Sequence, residues 1–511
     1  MTTGQNSKPN IVYILADDMG YGDMGCNDPT CRIPTPNLDR LAAGGMRFTD
    51  AHATSAVCTP SRYGILTGRY NWRSRLKRGV TWEWDGALLE PDRPTVASML
   101  KAQGYATACI GKWHLGWDWP TVDGRHPNET LPFGAYAGDV SRQREQFGVQ
   151  QIDYAGRIAG GPVDRGFDHY FGVDVPNFPP YAWFEDDRLT ELPTERKPDD
   201  MFGRPGLMAP GWSLEAMIPE FTRRAVAYIE DRDAGPPDAS SEPFFLYLPL
   251  TSPHTPVVPN EAFKGMSGIG VYGDFVCEAD WVVGQVMDAL ERTKQTEDTL
   301  VVFTSDNGPE HEIRGQDEGA YLRAERTGHY SMGPLRGIKH DAWEGGHRVP
   351  FIASWPNGIP AGSTCDQLVG QQDLLATCAD ILEQPLPAGA GEDSVSMLPM
   401  LRGQTDRPTR SDLVHHSNGG KFALRTGEWV YIESASGGAN RPEAEWFNAQ
   451  RGYEPHDQPA ELFNLREDLA ERVNRYAERP DIADRLAQRL YEIRGEDSVP
   501  HGSAPNRSLS E

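Results

Sequence analysis

Four apolar, strand-like runs recur through the first three quarters of the chain, with helical patterns between them. They cover residues 10–16, 105–110, 244–250 and 300–304. Strands that alternate with helices are typical of an α/β domain, so we predict a large, mixed but mostly parallel central sheet flanked by helices. In open sheets of this class ligands bind beyond the carboxyl ends of the strands. The residues after each run are therefore candidates for one common site.

Polar residues follow each of the four runs. They are Asp17 and Asp18, then Lys112 and His114, then His254, and finally Asp306 and Asn307. The three carboxylates and the amide supply only oxygen ligands, which suits a hard cation such as calcium rather than zinc, with magnesium as the second choice. The alternative is that the Asp pair only caps a helix or closes a turn.

A change of pattern near residues 385–406 predicts a second unit. A stretch rich in Pro and Gly leads into strand-like residues 422–432 and 461–465, and then into a helix with Ile482, Leu486, Leu490 and Ile493 on one face. We predict an α/β domain that carries the site over residues 1–395, and a small C-terminal α+β subdomain with an antiparallel sheet over residues 396–511. Residues 117–166 and 185–211 are predicted to be surface insertions that shape a substrate mouth.

Charge and cysteine content limit the class of protein. The 511 residues carry a formal net charge of −25, which argues against nucleic acid or an anionic membrane surface as a partner. The apolar runs are far shorter than the roughly 20 residues that span a bilayer, so no membrane span is predicted.

The N-terminus shows no apolar signal core, so either the protein stays inside the cell or a signal peptide has been removed. The seven cysteines leave at least one thiol outside any disulfide, and we expect it to be Cys58.

The stretch from Cys58 to Gly68 is the sharpest local signal. Its cysteine is followed by Pro60 and Arg62 and then by an apolar helical run. Because Pro suits the first turn of a helix and positions 58 and 62 share a face, Cys58 is predicted at a helix N-terminus with Arg62 beside it as an oxyanion donor. Two alternatives are a buried apolar cysteine and a thiolate nucleophile activated by Arg62.

These stretches resemble the formylglycine-dependent type I sulfatases, in particular the arylsulfatase A-like branch of the alkaline-phosphatase-like superfamily. Residues 56–68 (AVCTPSRYGILTG) and 104–116 (GYATACIGKWHLG) are similar to the two sulfatase signatures. Similarity extends to PNIVYILADDMGYGD at 9–23, SPHTP at 252–256, TSDNG at 304–308, RGIK at 336–339 and EGGHRVPF at 344–351. The resemblance implies an alkaline-phosphatase-like fold and the hydrolysis of sulfate esters.

The resemblance also implies how the reactive centre is made. A formylglycine-generating maturation enzyme would oxidise Cys58 to Cα-formylglycine, an aldehyde whose hydrate is the nucleophile. One calcium ion would be held by the modified Cys58 together with the oxygen ligands Asp17, Asp18, Asp306 and Asn307. Members of the family are mostly periplasmic, secreted or lysosomal, which favours a periplasmic or extracellular location.

The remaining roles follow from the negative charge of the substrate. A sulfate ester is an anion, and its leaving oxygen gains negative charge as the S–O bond breaks. Arg62, Lys112 and Lys339 supply fixed positive charge, and by resemblance Lys112 bridges the formylglycine and the sulfate. Lys339 and His254 are expected to contact the leaving oxygen, with His254 as general acid. His114 is expected to act as the base that releases sulfate from the enzyme.

Weaker signals concern the substrate, for which we favour a sulfated carbohydrate. The basic segment 68–78 includes Arg73 and Arg75 and interleaves aromatic residues, so it is a candidate edge for an anionic glycan, although a solvated basic face explains it equally well. Tryptophans 82, 84, 117 and 119 are candidates for stacking on sugars, with core packing as the alternative. Related arylsulfatases place a sulfate-contacting serine where Asn177 is the nearest polar candidate here.

Two other functions stay open at this level. One is a phosphodiesterase or phosphonate monoester hydrolase of the same superfamily, although the sequence shows no second cluster of metal-binding carboxylates and histidines. The other is a non-catalytic protein that binds sulfated glycans and whose Cys58 is never converted. A binding protein has no need of His114 or His254, which favours an enzyme.

Overall fold

The computed structural model describes residues 8–232, 242–311, 319–404, 406–439 and 443–495. Its strands are β1 (Asn10–Ala16), β2 (Met46–Phe48), β3 (Ala51–His52), β4 (Ala106–Lys112), β5 (His169–Val173), β6 (Phe184–Glu185), β7 (Arg188–Leu189), β8 (Glu195–Arg196), β9 (Leu207–Met208), β10 (Phe244–Pro249), β11 (Thr299–Ser305), β12 (Phe351–Ser354), β13 (Ser363–Cys365), β14 (Val369–Gly370), β15 (Asp412–His416), β16 (Phe422–Thr426), β17 (Trp429–Ile432) and β18 (Glu461–Asn464).

The α-helices are α1 (Pro36–Ala43), α2 (Cys58–Thr67), α3 (Val96–Ala102), α4 (Asp139–Gln150), α5 (Met217–Asp231), α6 (Val271–Arg292), α7 (Ala320–Thr327), α8 (Glu344–His347), α9 (Leu374–Ile381), α10 (Leu398–Leu401), α11 (Glu445–Arg451) and α12 (Pro480–Arg494). In the described ranges, no helix combines the length and the apolar character that a membrane span requires.

The central sheet joins ten strands in the order β13, β2, β12, β11, β1, β10, β4, β5, β6, β7. The five strands from β11 to β5 are parallel to one another. Antiparallel pairings occur toward both edges, where β12 meets β11 and β6 meets β5. The sheet is therefore mixed and mostly parallel, as predicted, and the four predicted strands correspond to β1, β4, β10 and β11.

The central strands read as unbroken apolar runs because both faces of the sheet are covered. Successive side chains of β1 point to opposite faces, so Ile11, Tyr13 and Leu15 join one hydrophobic cluster while Val12 and Ile14 join another. Side chains of α2, α3 and α9 complete the first cluster, and those of α5 and α6 complete the second. This packing fixes the sheet from which the polar residues emerge.

The C-terminal residues form a separate antiparallel sheet in the order β15, β16, β17, β18. The predicted strand-like segment 422–432 is a hairpin, because Gly427 adopts a left-handed conformation with φ of 57° between β16 and β17. Ile482, Leu486 and Leu490 of α12 pack on this sheet as predicted. The division of the chain at residue 395 stays a prediction.

The predicted insertions are less superficial than their composition indicates. Residues 117–166 contain α4, and Trp117, Trp119, Ile152 and Ile158 of this segment are buried in the first hydrophobic cluster. Residues 185–211 contain the short pair of strands β8 and β9. The prediction of a surface insertion is therefore wrong for the apolar part of 117–166, since Pro and Gly content does not show which aromatic side chains are buried.

Candidate active site

The ends of β1 and β11 bring the four predicted oxygen ligands together. Parallel pairing sets the last residues of the two strands side by side, so Asp17 and Asp18 lie beside Asp306 and Asn307, and all four are buried. The backbone N–H of Asp18 donates to Asp306 Oδ1 at 3.2 Å, and Asn307 Nδ2 donates to Asp18 Oδ1 at 2.7 Å. Asp18 holds a left-handed φ of 66°, the kind of strained conformation that concentrates at functional sites.

Burial and repulsion disturb the ionisation of these carboxyl groups. Burial raises the pKa of Asp18 to about 7. Burial, together with repulsion from Asp17, raises the pKa of Asp306. Burial acts in the same direction on Asp17, but Lys112 and Arg62 outweigh it and lower the pKa of that carboxyl. Buried carboxylates that destabilise one another in this way are stabilised by a bound cation.

The donor set fits a hard divalent cation. Asn307 Oδ1 is buried without a hydrogen-bond partner, so it is available as a ligand. One donor atom from each of Asp17, Asp18, Cys58 and His254 lies within 4.8 Å of the others. Three acids and one amide match the oxygen ligands that calcium and magnesium prefer. Asp17, Asp18, Asp306 and Asn307, which lie next to Cys58, form the candidate cation centre.

Cys58 begins helix α2, as predicted, and is buried. Its Sγ lies 3.6 Å from Asp17 Oδ1 and 4.0 Å from Asp18 Oδ1. Burial, reinforced by the negative charge of Asp306, raises the pKa of the thiol well above its usual value. Burial therefore opposes the alternative of a thiolate activated by Arg62.

Arg62 is buried and binds the protein through all three of its side-chain nitrogens. Its Nε and Nη2 donate to Asp306 Oδ2 at 3.0 and 2.8 Å, and its Nη1 donates to the Lys112 carbonyl at 3.0 Å. These bonds use three of the five N–H groups of the guanidinium, so Nη1 and Nη2 each keep a second N–H. Arg62 therefore holds the carboxylate of Asp306 in position, and its role as an oxyanion donor stays a prediction.

Two buried lysines bracket the carboxylates. Lys112 Nζ donates to Asp17 Oδ2 and Lys339 Nζ donates to Asp18 Oδ2, each at 2.6 Å. Lys339 Nζ also lies 3.1 Å from Glu310 Oε2. Although burial opposes it, the charge of Asp18 raises the pKa of Lys339 well above its usual value, so this lysine stays cationic. Sequence reasoning missed Glu310, for which the only signal was its place two residues after the TSDNG stretch.

His114 is a neutral imidazole with a free acceptor. Its Nε2 lies 3.1 Å from the Thr81 carbonyl, and because a carbonyl only accepts, Nε2 carries the hydrogen. Its Nδ1 is buried without a hydrogen-bond partner. Burial, followed by the charges of Lys112 and Arg62, lowers the pKa of His114 well below its usual value. The backbone N–H of His114 donates to Asp174 Oδ1 at 3.2 Å, a contact that the sequence did not predict.

His254 lies on the other side of the cluster. Its Nε2 is 3.8 Å from Asp18 Oδ2, too far for a hydrogen bond. Burial, followed by the charges of Lys112 and Lys339, lowers the pKa of His254 well below its usual value. This imidazole is therefore neutral before a substrate enters.

Comparison with known proteins decides the family. Residues 9–384 match the model of the sulfatase family, which is more than half of the chain. The chain belongs to the sulfatase family. Membership agrees with the predicted resemblance and makes the chain a sulfuric ester hydrolase.

Relatives of this sulfatase align over nearly its whole length. It is 34% identical over 520 residues to an N-acetylgalactosamine-6-O-sulfatase of Bacteroides thetaiotaomicron, with 96% of this chain and 94% of that protein covered. It is 33% identical to human arylsulfatase A, with 91% and 83% covered. A solved 6S-sulfatase structure, described with glycosaminoglycan metabolism in Bacteroides thetaiotaomicron, shares 30% identity at a TM-score of 0.78 and covers 96% of this chain and 100% of that one. The predicted alkaline-phosphatase-like fold is confirmed.

The residues around Cys58 open into a cavity of about 310 Å³. The residues that line it include Cys58, His114, His254 and Lys339, with the aromatic side chains Trp82, Phe178 and Phe202. An adjoining cavity of about 820 Å³ shares Asn177, Phe202 and Arg204 with the first. The cleft therefore continues well beyond the space around Cys58.

The positively charged guanidinium of Arg204 lies on the wall of this cleft. Its guanidinium lies 3.3 Å from the ring centroid of Tyr136 and 4.6 Å from that of Trp82, and 3.6 Å from a carboxylate oxygen of Glu83. Asn177 lines the same wall, and its buried Oδ1 has no hydrogen-bond partner. Sequence reasoning named Asn177 as a candidate but did not find Arg204.

Part of the basic segment 68–78 makes contacts within the protein. Arg73 pairs with Asp393 at 2.9 Å, and Arg75 donates to the carbonyls of residues 86 and 87. Tyr70 and Trp72 are buried in the core of the C-terminal sheet. Tyr70 and Trp72 therefore attach the segment to the C-terminal sheet, and a glycan-binding role of its basic residues stays a prediction. Tryptophans 84, 117 and 119 are buried in the core, while Trp82 lines the cleft.

Proposed function

We propose that this sulfatase removes sulfate from a sulfated carbohydrate through a formylglycine nucleophile made from Cys58. The observation that carries the proposal is the position of Cys58 at a helix N-terminus in the cleft, between carboxylates that suit a cation and lysines that suit an anion. A helix N-terminus and two ammonium groups favour a bound sulfate.

We assign the cation centre to calcium, with magnesium as the second choice. The ligands would be Asp17, Asp18, Asp306, Asn307 and an oxygen of the modified Cys58. A cation here would offset the charge of the acids and polarise a sulfate oxygen. Arg62 orients Asp306 and Lys112 orients Asp17, so the protein fixes the ligand geometry in advance.

The chemistry of Cys58 supports its conversion to an aldehyde. Because burial keeps the thiol protonated, the cysteine itself is a poor nucleophile. The hydrate of an aldehyde supplies a hydroxyl that attacks sulfur and a second hydroxyl that later expels sulfate. This proposal requires a formylglycine-generating maturation enzyme as a partner and is compatible with a periplasmic or extracellular location.

Three residues move or hold protons in this scheme. His114 Nδ1 is the free acceptor that takes a proton from a hydroxyl on residue 58. Lys339 remains charged and donates to the leaving oxygen. His254 is neutral in the free enzyme, and it becomes the general acid only when the negative charge of the bound ester raises its pKa.

The relatives and the cleft both support a carbohydrate substrate. One relative is named for N-acetylgalactosamine 6-O-sulfate and a solved neighbour for glycosaminoglycan metabolism. The inner cavity of about 310 Å³ falls at the lower end of small-molecule sites. Aromatic side chains on its wall suit the apolar faces of a sugar ring, and Arg204 suits an acidic group on it.

The test is to measure sulfate release from 6-sulfated N-acetylgalactosamine and from nitrophenyl sulfate, and hydrolysis of bis-nitrophenyl phosphate, after expression with a formylglycine-generating enzyme. We expect sulfate release by the wild type and a loss of about 10⁴-fold or more in Cys58→Ala. Cys26→Ala is the matched control, because that cysteine is half-buried and does not line the cleft.

Either of two results would contradict the proposal. Faster hydrolysis of the phosphodiester than of any sulfate ester would favour the phosphodiesterase alternative. Binding of sulfated sugars without any sulfate release, in protein whose Cys58 is converted, would favour a binding protein.

A further inference from the structure

Four buried side chains from three distant segments meet outside the catalytic cleft. They are His52 of β3, Glu344 and His347 of α8, and His415 of β15. One donor atom from each lies within 4.8 Å of the others. None of them lines the cleft around Cys58. We call this group the histidine cluster.

The hydrogen bonds of two rings define which nitrogens carry hydrogen. His52 Nε2 lies 2.9 Å from Asp50 Oδ1, and His347 Nε2 lies 3.1 Å from the Ala342 carbonyl. Arg348 and Arg425 lie 3.1 and 3.3 Å from Asp50, so this carboxylate stays ionised and accepts. Both oxygens are acceptors, and each Nε2 therefore donates.

This assignment leaves two lone pairs facing each other. The Nδ1 atoms of His52 and His347 are only 3.1 Å apart, and each would be unprotonated in a neutral ring. Two buried acceptors at this distance repel unless a cation lies between them, either a proton or a metal ion. Two nitrogens bound to one tetrahedral zinc, each about 2.0–2.1 Å from the metal, lie about 3.3 Å apart.

The other two members favour the metal ion. Glu344 Oε1 is buried without a hydrogen-bond partner, while its other oxygen meets Arg348 Nη1 at 3.0 Å. His415 is fully buried, and the only partner of its ring nitrogens among the described residues is the backbone of Ala53. A shared proton between His52 and His347 would leave Glu344 Oε1 and the second ring nitrogen of His415 unexplained.

We propose that the histidine cluster binds one divalent cation of the zinc type. Three imidazoles and one carboxylate form a donor set that suits zinc and not calcium, so this site differs chemically from the centre at Asp17 and Asp18. Asp50 and the Ala342 carbonyl orient His52 and His347 in the way that partners behind a metal ligand do. His415 stacks on His347 at 3.8 Å between ring centroids and 8° between planes, so it binds by turning about its side-chain bonds.

The site would connect parts of the chain that are far apart. His52 lies in β3, which follows strand β2 of the central sheet, and His347 lies in α8, just before strand β12 of that sheet. His415 lies in β15 of the C-terminal sheet. A metal ion bound by all three would clamp the C-terminal sheet to the larger sheet. Its role is structural and does not depend on the function proposed for Cys58.

The experiment measures zinc in the full-length protein after incubation with zinc chloride and gel filtration. We expect about one zinc per chain in the wild type and close to none in His347→Phe and His52→Phe. His416→Phe is the matched control, since His416 is buried on the same strand but lies outside the cluster. Cys58→Ser controls for zinc at the catalytic centre, and both controls are expected to keep the metal.

Crystals of the wild type, measured on both sides of the zinc absorption edge, keep the test decisive if a variant does not fold. An anomalous peak between His52, His347 and Glu344 supports the proposal. Zinc that is lost in Cys58→Ser but kept in His347→Phe overturns it, and so does a wild type that takes up no zinc. In either case a proton joins the two imidazoles.

Discussion

At the residue scale, the structure shows which of the predicted site residues hold one another in place. Arg62 was predicted from its spacing to Cys58, and the spacing was right because α2 begins where expected. Spacing along a helix does not show what lies on the neighbouring strands, so its bond to Asp306 was not predictable. Glu310 and Asp174 were missed for the same reason.

Replacing Arg62 tests this supporting role. Arg62→Met leaves the carboxylate of Asp306 buried without its bidentate partner, which we expect to cost about 3–5 kcal/mol of the free energy of unfolding. Arg40→Met removes a pair of similar length, 2.9 Å to Asp288, between side chains 46% and 42% exposed. That control is expected to cost less than about 1 kcal/mol. Urea unfolding midpoints compare Arg62→Met with Arg40→Met. Equal losses in the free energy of unfolding would show that the buried pair of Arg62 and Asp306 contributes no more to stability than the exposed pair.

Asp174 gives a prediction about pH. Burial raises its pKa to about 6. The buried charge therefore destabilises the folded state fully above that pH. Below about pH 4 the carboxyl is protonated in both states, and the destabilisation is absent. Asp174→Asn keeps an oxygen for the His114 N–H and removes the charge. We therefore expect the variant to gain about 1–3 kcal/mol over the wild type near pH 8 and nothing near pH 4.

Asp168 serves as the control of opposite sign. Although burial opposes it, contacts with Lys101 and Thr107 lower the pKa of Asp168. Asp168→Asn should therefore lose stability at neutral pH and lose none in acid, below the pKa of the folded state. Thermal melting across the pH range measures both variants, and a gain for Asp174→Asn that is the same at every pH would contradict the assignment.

At the element scale, the site depends on how the turn after β11 packs on α8. The backbone N–H of Gly308 donates to the Gly346 carbonyl at 2.9 Å. A Cβ on Gly308 would lie 1.9 Å from the Gly345 carbonyl oxygen. The sequence predicted β11 and the ligands after it, but it gave no sign that this turn needs glycine for close approach to another backbone.

Gly308→Ala should therefore move the turn that carries Asp306 and Asn307. We expect a loss of about 1–3 kcal/mol from overpacking and weaker calcium binding by the folded variant. Gly44→Ala is the control, because a Cβ there meets its nearest atom at 3.5 Å and the residue has a helical conformation. Urea unfolding and calcium titration measure the two effects, and a Gly308→Ala variant as stable as Gly44→Ala would disprove the packing argument.

At the scale of the whole molecule, the sequence predicted two sheets but not how they are joined. Tyr70 and Trp72 come from the region after α2, yet they pack into the core of the C-terminal sheet. Arg410 pairs with the buried Asp373, and the histidine cluster joins residue 415 to residues 52 and 347. Contacts between segments hundreds of residues apart leave no local pattern, which is why the packing of Tyr70 and Trp72 was not predicted.

Removing the C-terminal unit tests the importance of this junction. We propose that a chain ending at residue 395 will not yield soluble, cooperatively unfolding protein, because it exposes Tyr70, Trp72 and the unpaired Asp373. Expression yield, gel filtration and thermal melting give the result. A soluble and active truncated chain would show that residues 396–511 are dispensable for folding.

The central claim is that the reaction starts from a modified Cys58, and mass spectrometry of the tryptic peptide 48–62 tests it most directly. The protein is expressed with a formylglycine-generating enzyme, and sulfate release is assayed on the same sample. We predict the mass of the aldehyde or its hydrate at position 58, with activity proportional to the converted fraction. Unmodified cysteine in a sample that releases sulfate at full rate would contradict the account.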